Sequence, residues 1–440
     1  MKEVMKIRLA TLFLLSTMSL ISYGQAVPAG IATISAGPSS LAPDGVFHYA
    51  LSASELVEVG YYGNGAVTSS AALSGDIAYT SKSTVRPFNL VFAGGVLLPN
   101  QSGQSVSTYE TVLVSQGYVT GRWVFNLVDS FSFLPESPTT GLSGIAGVGD
   151  LGVVPIQGPG TGPAGGVLTN SDDRIANTLS GSVERLISRA TSISGSGSWS
   201  ILHFLDNGQT DELNYTQTSG VVALNQRIDS RSSASVSAVY SVFNYSGPDA
   251  GPEDPNFQSK GINVTYQRLL SRTLSVSGTV GPQWVSSSNS SLIPSTLNVA
   301  ASANLTYSRK FTTASLSYTR GVNGGSGVLP GAFSDSVGFG VSRAYGRNWV
   351  ASLNGAYTRT SGLTYIVNSL VPTHELYDTV YGGVQVTRRF STNFSGYLTY
   401  TALNQSTNFS AGPQNVLSGT SQIFGIGVTF SPRSTRLGQF

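Results

Sequence analysis

The stretch STLNVAASANLTYSRKF (residues 295–311) alternates two kinds of side chain. Apolar residues take every second place from Leu297 to Tyr307, and the places between hold Asn, Ser, Thr or Ala. Because a β-strand points successive side chains to opposite faces, the pattern predicts a strand with one apolar and one small, uncharged face. Arg309 then takes the next place on the apolar parity. The fold must therefore give the uncharged polar face a partner and give an arginine a place at the end of an apolar face.

The same alternation recurs along most of the chain. It is clear in residues 73–80, 88–93, 193–201, 234–240, 274–280, 314–318, 337–341 and 394–400. Residues 107–134 predict two more strands joined near Gly121. The Gly/Pro-rich stretch 136–170 interrupts the pattern and is too long for an ordinary hairpin connection. Two interpretations of it stay open, namely a constriction or plug inside the fold and a long surface loop.

An internal repeat accompanies the alternation. Six segments each contain a strand end, an arginine, a very short turn and a new strand. The six arginines are Arg185, Arg227, Arg268, Arg309, Arg343 and Arg388. Each interval between them fits two strands, one tight turn and one longer loop. The longer loops include residues 246–257, 287–295, 322–331, 362–375 and 407–418. Five of the arginines fall on the apolar parity, whereas the parity of Arg227 is ambiguous.

The composition excludes several classes of protein. Charged residues make up 10% of the chain, against roughly 25% in typical soluble domains. Soluble sheets usually carry charged side chains outside, so a nearly uncharged polar face argues against a soluble sandwich. The 20 Tyr, the 19 Phe and the alternation argue against disorder. A net charge of +2 gives no electrostatic basis for nucleic-acid binding, and the lack of Cys excludes a disulfide scaffold and thiolate chemistry.

The N-terminus has the features of a secretory signal. Basic residues precede an apolar core at 9–21 that is too short to span a bilayer, and a small-x-small site ends at Ala26. We therefore expect a signal peptide at 1–26 and a flexible lead-in at 27–45. A β-barrel is expected at 46–430 and a C-terminal tail at 431–440.

These observations predict an all-β transmembrane antiparallel barrel of about 16–18 strands, with short periplasmic turns and longer extracellular loops. A sheet in lipid must close, because an open edge leaves backbone groups unpaired. Counting gives thirteen strands after residue 176 and about five in residues 46–134. Barrels of this size enclose an aqueous channel.

In such a barrel the small polar face lines the lumen. The predicted pore-lining residues are Ser194, Ser196, Ser198, Ser235, Ser237, Ser275, Ser277, Asn298, Ser302, Asn304, Ser315, Ser317, Ser352, Asn354, Ser395 and Thr399. The six repeat arginines would lie at the periplasmic rim, with their charged ends reaching the lipid headgroups. Tyr266, Tyr307, Trp349 and Phe394 would form the aromatic girdle beside them.

The final strand QIFGIGVTF (residues 422–430) resembles that of Gram-negative outer-membrane β-barrels of the porin type. Phe424, Ile426, Val428 and Phe430 are similar to the assembly signal of that class. The resemblance covers residues 46–430 and extends to porins linked with exopolysaccharide export. It implies as partners outer-membrane lipid, lipopolysaccharide and the barrel-assembly machinery, and leaves open a homo-oligomer and periplasmic export partners. Ten residues follow Phe430, so Phe440 is the alternative terminal aromatic of the signal.

The sequence favours passive diffusion of small hydrophilic, uncharged solutes through an outer-membrane channel. A component of polysaccharide export and a non-conducting structural or adhesive barrel are the alternatives. A TonB-dependent transporter is disfavoured, because the chain is too short for a plug domain and 22 strands.

Residues associated with enzymatic or metal chemistry form no convincing set. Residues 147–152 match G-x-G-x-x-G but lack the βαβ context that the motif requires. His48, His203 and His374 are far apart in sequence, and no catalytic triad is predicted. Asp249, Glu253 and Asp254 do not have EF-hand spacing. We expect no enzymatic activity, no cofactor and no metal.

Overall fold

The computed structural model describes residues 46–61, 66–81, 83–100, 106–134, 174–205, 214–246, 255–325, 329–366, 373–408, 419–432 and 435–436. It is an all-β structure. Its strands are β1 (Val46–Tyr61), β2 (Ala66–Thr80), β3 (Phe88–Pro99), β4 (Ser107–Thr120), β5 (Trp123–Leu134), β6 (Arg174–Leu186), β7 (Thr191–Phe204), β8 (Asn214–Arg227), β9 (Ser232–Ser246), β10 (Phe257–Leu269), β11 (Leu274–Ser287), β12 (Thr296–Arg309), β13 (Thr312–Asn323), β14 (Ala332–Tyr345), β15 (Trp349–Ile366), β16 (Thr373–Arg389), β17 (Phe394–Thr407), β18 (Gly419–Phe430) and β19 (Thr435–Arg436). Within the described part of the chain, no helix is long and apolar enough to cross a membrane.

Strands β1 to β18 form one closed antiparallel barrel. Each strand pairs with its neighbours in sequence, and β1 also pairs with β18, from Leu51 opposite Phe430 to Val59 opposite Gln422. Closure satisfies the backbone groups that an open sheet would leave at its two edges. The predicted fold class is therefore confirmed, with 18 strands in the barrel. The two-residue strand β19 adds to the start of β1, so part of the predicted tail returns to the sheet.

The two ends of the barrel differ in how the strands connect. At one end the connections are short, such as residues 121–122, 187–190, 228–231 and 310–311. Gly121 takes a positive φ of 57° in the two-residue turn after β4, a conformation that costs glycine little. At the other end lie longer connections, including 288–295 and 324–331. We call these the short-turn end and the long-loop end; β1 starts and β18 stops at the short-turn end.

The two faces of the wall differ in side-chain chemistry. On β9, Val236 is 51% exposed and Tyr240 is 48% exposed, whereas Ser237 between them is 3% exposed. A closed sheet has one convex and one concave face, and the concave wall shields its side chains more. The large apolar residues therefore point outward and the serines point into the lumen, an arrangement that recurs on β10, β11 and β12.

Candidate functional site

The candidate site is the lumen, and pairing between strands carries its polar surface around the wall. Ser277 on β11 is opposite Asn304 on β12, which is opposite Ser317 on β13. Residues opposite each other in an antiparallel ladder lie on the same face. The predicted pore-lining residues therefore belong to one inner surface. Hydroxyls on neighbouring strands also bond to each other across it, as between Ser198 and Ser219 at 2.5 Å.

The predicted pore-lining residues differ in how far they reach open space. Ser194, Ser235, Ser237 and Ser317 are less than 10% exposed. Ser196, Ser198, Ser275, Ser277, Asn298, Ser302, Ser315, Ser352, Ser395 and Thr399 are partly exposed, and Asn304 and Asn354 are exposed. Asn304 and Asn354 therefore stand nearest to the open part of the lumen.

The structure adds inner-face residues that sequence reasoning missed. Thr360 donates or accepts a hydrogen bond with Ser334 at 3.1 Å, and Thr379 donates one to Gln405 at 2.8 Å. The alternation along β14 to β17 could have predicted these residues as part of the inner face. It gave no signal for Tyr397 on β17, which is 2% exposed on the inner face. Its ring lies against Gly427 on the next strand, where an added Cβ would meet the phenol oxygen at 2.3 Å.

Charged side chains of both signs lie on the inner face. Glu58 accepts a hydrogen bond from Ser421 at 2.9 Å, and Glu184 accepts one from Ser192. Register places Arg174 and Arg227 on the same face, opposite Phe204 and Ser233. Among the residues that the structure describes, therefore, the inner wall carries no ring of a single charge sign of the kind that makes a pore strongly ion-selective.

A cluster of buried apolar side chains lies at the long-loop end, and its members Phe243, Phe257 and Val285 are on the inner face by register. We call it the mouth cluster; its members are Phe243, Tyr245, Phe257, Val285, Ile293, Val322 and Leu363, and Tyr215, Leu292 and Phe333 pack against it. Phe243 and Phe257 stack with ring centroids 4.4 Å apart. Leu292 and Ile293 come from the loop 288–295 rather than from a strand, so this loop turns into the lumen.

Gly324 and Gly331, the described ends of the connection 324–331, contact residues of the same cluster. Tyr245 on β9 donates a hydrogen bond to the carbonyl oxygen of Gly324 at 2.9 Å. An added Cβ at Gly324 would meet the ring of Tyr215 on β8 at 2.5 Å, and one at Gly331 would meet Phe257 at 2.5 Å. Gly324 follows β13, five strands away from β8. In a round barrel of 18 strands, positions five strands apart lie about 28 Å apart, so Gly324 extends over part of the opening.

The repeat arginines lie at the short-turn end. Arg185, Arg268, Arg309, Arg343 and Arg388 are on the outer face, in register with outward residues such as Trp123, Val276, Ala351 and Trp349. Arg227, whose parity was ambiguous, lies on the lumen side and its Nε donates to the carbonyl oxygen of Asp229 at 3.1 Å. The guanidinium groups of Arg185 and Arg388 lie 5.2 and 5.1 Å from the ring centroids of Trp123 and Trp349.

The predicted girdle residues are also on the outer face at this end. Tyr266, Trp349 and Phe394 are 41%, 45% and 52% exposed, and Tyr307 is partly exposed. Sequence reasoning missed Trp123, which stacks with Phe125 at 6.0 Å in the same belt. The parity of residues 107–134 was ambiguous in the sequence, and the pairing of β5 with β6 resolves it for Trp123.

The last strand presents the predicted assembly signal outward. Phe424, Ile426 and Val428 are 46%, 60% and 54% exposed. Phe430 packs against Phe394 with ring centroids 5.0 Å apart.

The histidines are not brought together, because His48, His203 and His374 lie on β1, β7 and β16. Within the described ranges no group of three or more metal-ligating side chains was found. Four predicted features lie outside the described residues: the signal peptide and lead-in, the stretch 136–170 with its glycine motif, the acidic set Asp249, Glu253 and Asp254, and Phe440.

Comparison with known proteins gives similarity to solved barrels only. The chain is similar to Pseudomonas aeruginosa OccK2 (OpdF), with 9% identity, a TM-score of 0.39, and coverage of 88% of this chain and 98% of that one. It is also similar to Pseudomonas aeruginosa OccK9 (OpdG), with 10% identity, a TM-score of 0.41, and coverage of 88% of this chain and 98% of that one. The siderophore receptor PirA from Acinetobacter baumannii is similar as well, with 9% identity, a TM-score of 0.39, and coverage of 88% of this chain and 80% of that one. No protein-family model matches the chain, and no curated protein matches it. By its own strand register, the protein is a closed 18-stranded antiparallel barrel with an apolar outer and a polar inner surface, the architecture of outer-membrane β-barrels.

Proposed function

We propose that the protein is an outer-membrane channel for passive diffusion of small hydrophilic, uncharged solutes. The observation that carries this proposal is the pairing of Ser277, Asn304 and Ser317 around the inner wall while outward neighbours such as Val280 and Leu305 are exposed. An apolar exterior around a polar interior is the reverse of a soluble barrel.

The outer surface supports a location in a membrane. Val264, Leu297 and Ile426 are 52%, 63% and 60% exposed on β10, β12 and β18. Each buried apolar side chain contributes roughly 1.5–3 kcal/mol, and soluble monomers rarely expose apolar patches larger than a few hundred Å². A belt of such residues around the whole barrel needs lipid. The short turns and both barrel termini would then face the periplasm, and the long loops the outside.

Barrel size and lumen chemistry support diffusion of uncharged solutes. Eighteen strands enclose more space than their inner side chains fill. The inner wall presents hydroxyl and amide groups that can exchange hydrogen bonds with a solute such as a sugar, and its charges are of both signs. We therefore expect weak ion selectivity. The mouth cluster narrows the external opening and favours small solutes.

The partners follow from this location. Lipid and lipopolysaccharide would cover the apolar belt, and the assembly machinery would read Phe424 to Phe430 on the outward face of β18. Homo-oligomerisation and periplasmic export partners are further proposals.

A second candidate is a barrel that is closed at rest, used in gated polysaccharide export or in a structural role. The specific observation that favours it is the packing of Leu292 and Ile293 in the mouth cluster, together with the hydrogen bond from Tyr245 to Gly324 at the long-loop end. In this case the mouth cluster must separate before anything passes.

Planar-bilayer recording with refolded residues 27–440 tests both candidates. Steady open steps, together with swelling of liposomes in small sugars but not in large ones, are the result expected for a diffusion channel. A folded barrel that is silent until the mouth cluster is disrupted would instead support gating. Silence of folded wild type and folded mouth-cluster variants alike would overturn the channel proposal.

A further inference from the structure

Positive charge is concentrated at the short-turn end. The described cationic residues in its turns, or within three residues of them, are Arg86, Arg122, Arg185, Arg189, Arg227, Arg231, Arg268, Arg272, Arg309, Lys310, Arg343, Arg347, Arg388 and Arg389. The described acidic residues in the same zone are Glu184 and Asp229. Because the whole chain has a net charge of only +2, this is an uneven distribution rather than a generally basic protein. We call this set of cationic residues the basic rim.

Among the described residues, few carboxylates lie near the basic rim; Asp229 interacts electrostatically with Arg268, and Glu184 accepts a hydrogen bond from Ser192. Among the residues that the structure describes, the only ion pair joins Arg320 to Asp335 at 3.0 Å, near the long-loop end. The rim cations therefore have no carboxylate within ion-pair distance in the described part of the chain. Like charges around one ring repel each other, so an external anion would stabilise the barrel.

The outward members of the basic rim lie beside aromatic rings at the edge of the apolar belt. Arg185 lies over Trp123 and Arg388 over Trp349. Arg343 lies 5.2 Å from the ring centroid of Tyr345, and its strand neighbour Val341 is 41% exposed to the outside. Cation–aromatic pairs of this kind fit the headgroup level of a membrane, where one end of each side chain is apolar and the other is hydrated.

We infer that the basic rim binds acidic phospholipid headgroups in the leaflet at the short-turn end. A phosphate accepts two parallel hydrogen bonds from one guanidinium, a geometry that suits arginine better than lysine, and arginine accounts for all but one of the fourteen rim cations. The outward members point away from the lumen, so a solute in the channel cannot serve as their partner. The inference rests on the proposed membrane location.

Lipid-dependent stability tests the inference. The full chain is placed in phosphatidylcholine bilayers with or without a minor fraction of phosphatidylglycerol, and thermal unfolding is followed by the heat-induced gel shift of the barrel. One variant replaces Arg185, Arg268, Arg309, Arg343 and Arg388 by Gln. The matched control replaces Arg320 and Arg359, which lie on the outer face near the long-loop end, by Gln.

We expect phosphatidylglycerol to raise the unfolding midpoint of the wild type and the control. The five-site variant should lose more than half of that rise, and high salt should reduce the rise in the wild type, because exposed charge pairs are screened. Native mass spectrometry should show fewer retained phosphatidylglycerol molecules on the five-site variant than on the control.

Two results would overturn the inference. One is a wild type that folds normally but does not respond to phosphatidylglycerol, and the other is a five-site variant that responds as the control does. Failure of the wild type to insert into any bilayer would instead count against the membrane location, so the two failures are distinguishable. If the five-site variant does not fold, single Arg→Gln variants at Arg185 and Arg388 provide the same comparison.

Discussion

The phenol of Tyr245 on β9 donates a hydrogen bond at 2.9 Å to the carbonyl oxygen of Gly324, a residue 79 positions later in the loop after β13. The bond joins two parts of the rim at the long-loop end that are four strands apart. Together with the aromatic contacts of Tyr215 and Phe257, it holds Gly324 and Gly331, the two described ends of this loop, at the opening. The loop position is thus maintained by tertiary contacts inside the lumen.

Replacing Tyr245 by Phe should loosen this loop without removing apolar packing. The lost hydrogen bond should lower stability by about 1 kcal/mol and raise the frequency of open steps in single-channel recordings. Tyr240→Phe is the matched control, because Tyr240 donates to Gln258 at 2.6 Å on the outer face of the same strand. Equal channel behaviour in both variants would show that the bond does not restrain the loop.

Replacing Gly331 by Val should displace the loop more strongly. Gly331 has a φ of +81°, and an added Cβ would lie 2.5 Å from Phe257 and 2.9 Å from Leu363. We expect larger conductance steps and a lower unfolding midpoint. Gly220→Val is the comparison, since no atom lies within 4 Å of an added Cβ there. A Gly331→Val barrel with wild-type conductance would argue that the mouth cluster does not limit current.

Adjacent residues on β12 provide a test of which face meets lipid. Ala303 and Asn304 are both exposed, the first outward and the second into the lumen. Ala303→Arg should destabilise the barrel in bilayers by about 2–4 kcal/mol, whereas Asn304→Arg should change stability little. Urea unfolding in bilayers measures both. The reverse order of stabilities would invalidate the assignment of the faces.

Charge at Asn304 should also set ion selectivity. In a salt gradient, Asn304→Asp should shift the reversal potential in the direction of cation selectivity, and Asn304→Lys in the direction of anion selectivity. The reason is that a charge at position 304 would face the open lumen. Ser237, which is 3% exposed on the same inner face, is the comparison site. We expect a charge there to lower stability rather than to alter selectivity. Unchanged reversal potentials for both Asn304 variants would place this residue outside the ion path.

Acid should remove the contribution that Asp229, in the turn at 228–231, makes to the stability of the fold. The backbone N–H of Arg231 donates to the Asp229 carboxylate at 2.5 Å, and this bond is the main reason that the Asp229 pKa lies below its usual value. A group with a lowered folded-state pKa stabilises the fold above its unfolded pKa of about 4, and the effect disappears as pH falls through the folded value. Asp229→Asn should therefore lower the unfolding midpoint near neutral pH and leave it unchanged in strong acid. A constant difference at every pH would exclude this origin.

Most of the fold could be predicted from the alternation of apolar and polar residues. Period-two patterning in segments such as 295–311 requires a strand with two unlike faces, and the arginine repeat marks where strands end. A barrel of 16–18 strands and the assignment of the two faces could therefore be predicted from local order along the chain. Closure was predicted for a different reason, because a sheet in lipid cannot leave open edges. The faces of residues 107–134 could not be predicted, because Val and Leu occur on both parities of β4. Pairing of β4 with β3 and β5 decides which parity faces outward.

The candidate site could be anticipated only in part. Small polar residues at alternate positions predict the wall of a lumen. Tyr397 could not be predicted in this way, because it is an aromatic residue on the inner face whereas most aromatics face outward. Its position depends on Gly427 of the next strand, which leaves room for the ring. The sequence left residues 136–170 open as a constriction or a surface loop, and this stretch lies outside the described residues. In the described part of the chain, contacts at the mouth come from Leu292, Ile293 and Gly324, whose positions alternation does not predict.

The sequence by itself determined that this chain forms a barrel with an apolar exterior, a polar lumen with few charges and arginines at the short-turn rim, because side-chain direction in a strand follows from position alone. Only the tertiary structure decided which polar residues meet open space and what narrows the mouth. Those properties depend on which distant strands and loops the closed barrel brings together, as it does for Tyr245 and Gly324.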